Sequence, residues 1–321
     1  MKITLISFDN WGFNKNILET LKNQNHIVNH IDFSKASYKY PTFFHKIYNF
    51  ILKAFFKQNL KTKFYGKFVL NELEKINEKQ DLILTIKGDF IAPEYAKKIK
   101  NYTGASIAFF NDNTRRCPKI IRVISCFDKV YSFEREDCQK YNLEFKTNFI
   151  YNFKEKSTAI KTNNFEVFNI SSYGKRSNLI IDIAKNLKQN KISYKFFIFD
   201  KKNNLKNNEY VDVIRKTIPL DVVNDYIEKS NVLLDIHREN QKGLSFRVFE
   251  SLGLRKKLIT TNPDIKNYDF FNEKNILIID TKNPEIPLNF INSPYEEIPE
   301  KILNKYLVSN WSAYFINHVN N

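Results

Sequence analysis

Asp235-Ile-His-Arg-Glu-Asn-Gln-Lys-Gly-Leu-Ser-Phe-Arg-Val-Phe-Glu-Ser-Leu-Gly-Leu-Arg-Lys-Lys-Leu-Ile-Thr-Thr-Asn262 is the stretch whose reading decides the fold. The apolar run from Val232 to Ile236 enters it as a buried strand. A polar loop follows, then the turn Gly243-Leu-Ser245, a short helix, and a second apolar strand from Leu258 to Thr261. Strand, loop, helix and strand in this order make one unit of a parallel sheet. Gly243 allows a ligand to approach the backbone closely, and the first amides of the helix point back at the loop. Such a helix start suits a phosphate or diphosphate, which makes Gly243, Leu244 and Ser245 candidate ligand-binding residues. Arg247 and Glu250 are three residues apart and share a face near that end. An arginine there can fork onto phosphate oxygens, and a carboxylate one turn on can accept from ribose hydroxyls. The same spacing also fits a plain ion pair on a solvated helix face.

Outward from this stretch, strands and helices alternate in two successive halves. In the first, Lys2-Ile-Thr-Leu-Ile-Ser-Phe8, Ile27–Ile31, Asp81–Asp89, Ser106–Asp112, Lys129–Phe133 and Asn148–Phe153 read as strands, with helices to about Asn23 and from Pro93 to about Tyr102. The chain turns polar between Asn152 and Asn164, where a linker is expected. The second half has strands at Phe165–Ser172, Lys195–Asp200, about Tyr210–Ile214, Val232–Ile236, Leu258–Thr261 and Asn275–Asp280. Its helices run from Tyr173-Gly-Lys-Arg176 to Asn190 and from Leu220 to Ser230. The tail from Glu296 to His318 repeats Ile298, Ile302, Leu303, Tyr306, Leu307, Trp311, Tyr314 and Phe315 at helical spacing. The pattern predicts an α/β protein with two Rossmann-like, doubly wound parallel-sheet domains, 1–155 and 156–300, followed by a helical segment, 301–321.

In such sheets ligands sit beyond the carboxyl ends of the strands. Asp9, Asp89 and Asp112 lie there in the first half, and Ser172, Gly174, Arg176 and His237 in the second. Asp9 fits a site residue or the start of a turn. Arg115 and Arg116 beside Asp112 fit an anion-orienting loop or a solvated helix start, and His237 fits a donor contact or a satisfied polar histidine. Neither half carries Gly-x-Gly-x-x-Gly, a Gly-Lys-Ser/Thr phosphate loop or His-Glu-x-x-His. With only seven glycines in the chain, the placement of Gly12, Gly88, Gly174 and Gly243 at or just past strand ends marks crevices.

Composition bounds the partners. The 321 residues carry a net charge of +16, 29 Phe and 17 Tyr. That balance fits an anionic partner, although no helix-turn-helix, zinc or RNP pattern appears and the lysines are dispersed. No nucleic acid partner is therefore expected, and a basic nucleic-acid-binding protein is the alternative. The three cysteines (Cys117, Cys126, Cys138) match no metal spacing and read as free thiols of a reducing compartment. Lacking a signal peptide or a spanning apolar run, the chain is expected in the cytoplasm. One segment departs from the alternation. Between Asp32 and Glu72 there is no acidic residue, and residues 36–70 interleave aromatics with Lys39, Lys46, Lys53, Lys57, Lys61, Lys63 and Lys67. This basic aromatic insertion fits contact with an anionic membrane surface at its inner face, or a core-packing helix with a basic outer side.

Taken together, Phe109-Phe-Asn-Asp-Asn-Thr-Arg115, Phe127–Asp137, Gln241–Gly253, Lys257–Asn262 and Tyr268–Asn272 resemble bacterial glycosyltransferases of the GT-B type. More narrowly, they resemble lipopolysaccharide and capsule transferases with an N-terminal half like the spore-maturation CgeB-like proteins. The resemblance implies two Rossmann-like domains facing a cleft, with a C-terminal helix crossing back onto the N-terminal domain. It also implies a metal-independent, hexosyltransferase-like enzyme that moves sugar from a nucleotide-sugar donor, UDP- or GDP-linked, to a surface-glycan or glycolipid acceptor. No separate cofactor is implied. Glu250 matches the carboxylate that holds the donor ribose, and Ser172 to Arg176 match the loop near the diphosphate. Lys242 is a departure, because retaining enzymes of this type commonly carry a glutamate eight positions before the ribose carboxylate. An inverting enzyme needs a general base on the acceptor side, for which Asp9, Asp89 and Asp112 are placed. A non-catalytic glycan-assembly protein of the same fold is the other alternative.

Overall fold

The computed structural model describes residues 1–9, 11–154, 165–206, 208–317 and 319. Most of the expected linker, 155–164, lies outside the described residues. The chain forms two units, Met1–Thr147 with Val308–Asn321, and Asn148–Leu307.

Unit 1 runs β1 (Lys2–Ser7), α1 (Phe13–Asn23), β2 (Ile27–Asp32), α2 (Phe43–Phe55), α3 (Leu60–Ile76) and β3 (Gln80–Ile86). It continues with α4 (Pro93–Ala96), β4 (Thr103–Phe110), α5 (Ile120–Val123), β5 (Lys129–Ser132), α6 (Arg135–Tyr141) and β6 (Glu144–Phe145). The six strands pair in parallel in the order β2-β1-β3-β4-β5-β6. Ile3, Leu5 and Ile6 are fully buried, as expected of a strand covered on both faces, which reads as a near-continuous apolar run.

Unit 2 runs β7 (Phe165–Ser172), α7 (Ser177–Gln189), β8 (Tyr194–Phe199), β9 (Asp212–Ile214), α8 (Leu220–Glu228) and β10 (Ser230–Asp235). Then come α9 (Phe246–Gly253), β11 (Lys257–Thr260), β12 (Ile276–Ile278), α10 (Leu288–Asn292) and α11 (Glu300–Asn304). Its sheet, also parallel throughout, has the order β12-β11-β10-β7-β8-β9. Counted from its own first strand this is the 3-2-1-4-5-6 order of dinucleotide-binding sheets, while unit 1 follows the flavodoxin-like order. In each, the direction of winding reverses beside the first strand, between β1 and β3 and between β7 and β10.

The last helix, α12 (Val308–Asn317), returns to unit 1. It packs on α1, and Gln24 Nε2 just past that helix donates to Ser309 O at 3.1 Å. Side chains alternate across β4: Ala108 and Phe110 enter one core cluster, while Phe109 meets Trp311 edge-on at 5.1 Å. Trp311 and Phe315 are fully buried, and the indole N–H donates to Thr147 O.

Three sequence expectations need correction. Asn148–Phe153 is not a strand of the first sheet; it belongs to unit 2, where only Ile150 bridges Leu307. Its polar groups are drawn along α9 instead: Asn148 Nδ2 donates to Leu244 O, and Lys154 N to Gly253 O. The sixth strand of unit 1 is the two-residue β6. The tail is two helices rather than one, broken at Lys305–Leu307.

Candidate functional site

The switch point of unit 2 is built from the loops after β7 and β10. Ser245 caps α9, its hydroxyl accepting from Arg247 N at 3.2 Å and donating to Asp235 Oδ1 at 2.8 Å. Asp235, the buried last residue of β10, also accepts from Thr260 Oγ1 on β11. The end of the strand and the start of the helix are thereby fixed to each other. Behind this cap Glu250 is 3 % exposed. Its Oε1 accepts from the Tyr151 hydroxyl at 2.5 Å, and Tyr151 also lies 3.1 Å from Asn224 Oδ1. Arg247 Nη1 stands 2.7 Å from Glu250 Oε2. The two facing atoms are close enough for an ion pair but are not aligned as a hydrogen bond, so both remain buried without a hydrogen-bond partner. Burial pushes the Glu250 carboxyl upward, against the opposing pull of Arg247 and Tyr151. Burial, with the Glu250 charge beside it, raises the Tyr151 phenol well above its ordinary range. Tyr151 is therefore a donor, never a phenolate, at neutral pH.

The remaining candidates of this unit gather around the same strand ends. Arg176 Nη1 donates to Ile236 O at 2.6 Å, which ties the β7 turn to the β10 loop. In that turn Gly174 N donates to Ser177 Oγ, and a Cβ added at Gly174 would meet nothing within 4 Å. Ser172 is half-buried at the end of β7. His237 N and Nδ1 both lie within hydrogen-bond distance of Thr261 Oγ1, at 3.0 and 2.7 Å. Burial lowers the imidazole pKa, opposed by Asp235, so the ring is neutral at pH 7. The Gly243 carbonyl accepts from Gln241 Nε2, and Leu244 is buried with its carbonyl taken by Asn148. Lys242 O accepts from Asn262 Nδ2, and Glu239 is engaged at the surface with Lys175.

In unit 1 the three candidate aspartates stand at strand ends in unlike surroundings. Asp9 caps α1: its carboxylate accepts from Gly12 N at 2.8 Å, Asn14 N at 3.0 Å and Lys15 N at 3.3 Å. Gly12, at φ 84°, provides the left-handed residue that turns the chain under it. Asp112 is held by cations, an ion pair with Arg116 and Lys87 Nζ at 3.7 Å. Asp89, in a tight turn after β3, is 8 % exposed. Burial drives its pKa up to about 6, with Asp112 adding to the rise and Lys87 and Lys119 opposing it. It lines a small pocket with Asn59, Thr62, Lys119 and Arg122. The structure brings Asp89 and Asp112 into one electrostatic set; Asp9 takes part in the start of α1. Thr114 of the 109–115 motif is fastened by Asp137, whose carboxylate accepts its N–H at 2.7 Å and its hydroxyl at 2.5 Å. Among the described residues, no three His, Cys, Asp or Glu gather in a way that could hold a metal ion.

Sequence reasoning did not find Tyr151, Asn224 or Asp235 as members of the Glu250 set. Only the run of alternating aromatics at 149, 151 and 153 signals that segment, and the same run reads as a strand.

The chain matches no family model and no curated protein in sequence. Similarity lies in the fold. An α-glucosyltransferase in complex with UDP and a 13-mer DNA containing a central A:G mismatch superposes over the full length of both chains, with TM-score 0.67 and 12 % identity. A UDP-forming α,α-trehalose-phosphate synthase from Burkholderia xenovorans in complex with glucose-6-phosphate gives 0.61 and 9 %, again over both full chains. The catalytic domain of Arabidopsis thaliana starch synthase IV, bound to ADP and acarbose, gives 0.54 and 10 %, over 98 % of this chain and 92 % of that one. With its two six-stranded parallel sheets, the chain has the two-Rossmann-domain fold of GT-B glycosyltransferases.

Proposed function

We propose that this protein is a glycosyltransferase that moves a sugar from a nucleoside-diphosphate donor, UDP- or GDP-linked, to a cell-surface glycan or glycolipid such as lipopolysaccharide or capsule. The observation that carries this is the buried pair at the start of α9. Arg247 Nη1 and Glu250 Oε2 are desolvated without hydrogen-bond partners. The two atoms face each other as a buried ion pair that makes no aligned hydrogen bond, a costly arrangement, and ribose hydroxyls offer both a donor and an acceptor to such a pair. In this reading Glu250 holds the ribose, positioned by Tyr151. Arg247, Arg176 and the Gly243–Ser245 turn face the diphosphate at the amino end of α9 and stabilise its charge as it leaves, with no obligatory metal. Ser172, Gly174, Leu244 and His237 shape the rest of the donor side. On the acceptor side the acceptor hydroxyl loses its proton to Asp89, the buried carboxyl whose pKa is near the working range of a general base.

Calorimetry with UDP, GDP and CMP tests the donor side. Glu250→Gln, which keeps the shape and the packing, is expected to weaken the preferred nucleotide roughly 10- to 100-fold, the worth of a hydrogen bond to a charged group. Unchanged affinity in a variant that melts like the wild type refutes the assignment.

A second reading, a nucleic-acid acceptor, has the net charge of +16 and the DNA-bound glucosyltransferase in its favour. Gel-shift binding to random duplex that persists at moderate salt, with sugar transferred to the DNA, would replace the glycan acceptor.

A further inference from the structure

We infer that α2 seats unit 1 on an anionic lipid bilayer, with its aromatic face in the interface and its lysines at the headgroups. This inference does not depend on the transferase reading.

Of the thirteen residues of α2 only Asn49 and Leu52 are buried. Asn49 fastens the helix to its neighbours: its Nδ2 donates to the Tyr40 hydroxyl, and its Oδ1 accepts from Leu60 N, the first residue of α3. The anchored side is therefore narrow, and the rest of the circumference faces outward. At about 100° per residue, Phe50, Phe43, Ala54, Ile47, Ile51, Phe44, Phe55 and Tyr48 follow one another around an uninterrupted arc of roughly 160°. Phe43 is 69 % exposed, Phe44 78 %, Phe50 69 % and Phe55 77 %, and Phe56 just past the helix 63 %. Such a side chain offers roughly 150–250 Å², so the four phenylalanines of the arc alone present on the order of 600 Å² of apolar surface. That is at or above the largest patch a monomeric protein usually shows.

The charge around the arc selects the occupant. Lys46 and Lys53 lie roughly 40–60° beyond its Phe50 edge, and Lys39, Lys57, Lys61 and Lys67 are exposed on the flanking chain. No acidic residue occurs between Asp32 and Glu72. An apolar face bordered by lysines is the pattern of a helix lying in an anionic interface. A second copy docked face to face would bring lysines of both copies together with no carboxylate from this segment between them. Lys53 also acts on Lys119, whose pKa is lowered first by burial and further by Lys53 and Lys61, while Asp89 opposes the fall. The basic border of α2 is thus felt electrostatically at Lys119, which lines the Asp89 pocket.

The test is co-sedimentation of the full chain with vesicles of phosphatidylcholine alone and of phosphatidylcholine mixed with phosphatidylglycerol, at low salt. Wild type should pellet with the mixed vesicles and stay in solution with phosphatidylcholine. The double variant Phe44→Ser/Phe55→Ser should lose roughly 100-fold or more in partitioning, given the transfer free energy of two aromatic side chains. Lys46→Glu/Lys53→Glu should lose roughly 10-fold or more. All four side chains are exposed, so the variants keep the fold, and circular dichroism verifies this. Wild type that stays in solution with mixed vesicles, or a phenylalanine variant that pellets as well as wild type, overturns the inference. So does a concentration-dependent dimer in sedimentation velocity that the phenylalanine variant abolishes while no vesicle binding occurs; that outcome assigns the face to a second copy.

Discussion

The two units place carboxylates differently, on the helix after β10 in unit 2 and after the strand ends in unit 1, and treat them in opposite ways. In unit 2, Glu250 is sealed in and shared between Tyr151 and Arg247, and the loops around it are tied down by Ser245, Arg176 and Thr261. In unit 1, Asp9 is engaged by the amides of α1 and Asp112 by cations, whereas Asp89 is buried with its proton affinity raised. A carboxylate locked among donors is suited to hold a ligand. One that sits near its own titration point is suited to exchange a proton. The difference between the units is thus one of protonation freedom, and the proposed roles, binding in the second and proton transfer in the first, rest on it.

Substitution at Asp89 is the strongest way to break this contrast. Asp89→Asn should lower turnover by about 10²- to 10⁴-fold while nucleotide affinity, measured by calorimetry, is unchanged. The rate of the wild type should fall as pH drops below about 6, where the carboxylate protonates. Stability should respond in the opposite sense. The rise from 3.8 to about 6 disfavours the ionised form in the folded state, a cost of about 3 kcal/mol. It is absent below the unfolded pKa and fully present above about pH 6. Asp89→Asn should therefore melt higher than wild type at pH 8 and no higher at pH 4. A stable variant with full turnover would remove proton transfer from unit 1.

The next effect concerns two glycines of unit 2. A Cβ at Gly253 would lie 2.2 Å from Asn152 O, a backbone atom with little room to yield, whereas one at Gly174 meets open space. Gly253→Ala should destabilise by about 1–3 kcal/mol or more and loosen the segment that carries Tyr151. Denaturant titration should find Gly174→Ala within about 0.5 kcal/mol of wild type. Equal effects at the two positions would show that the 148–154 segment is not packed on α9 as described.

The smallest effect sharpens the roles within unit 1. Asp9→Ala removes acceptors from three amides at the start of α1 and should cost about 0.5–2 kcal/mol in thermal stability, with turnover reduced far less than by Asp89→Asn. A loss of turnover as large as that of Asp89→Asn, without loss of stability, would move the base to Asp9.

Most strands were readable because buried parallel strands appear as unbroken apolar runs. Lys2-Ile-Thr-Leu-Ile-Ser7 and Asn231-Val-Leu-Leu-Asp235 are of that kind, and observed ends lie within a few residues of those expected. The start of α9 was also readable, since Gly243, Ser245, Arg247 and Glu250 are close in sequence. What could not be read were contacts between distant segments. Tyr151 meets Glu250 across 99 positions, and nothing local distinguishes its segment, with aromatics at every second residue, from a strand. The three aspartates looked alike for the same reason. Whether one caps a helix, pairs with a lysine or stays buried depends on neighbours that the fold brings in.

The position of α12 has a consequence for biosynthesis. Trp311 and Phe315 complete the core of unit 1 against Phe109 and Tyr131, yet the ribosome makes them only after all of unit 2. Domains generally fold as units while the chain emerges. Here the second unit can finish before the first, which must wait with Phe109 uncovered until the last helix is released. Translation arrested before Val308 would leave a finished C-terminal domain attached to an N-terminal one still lacking part of its core.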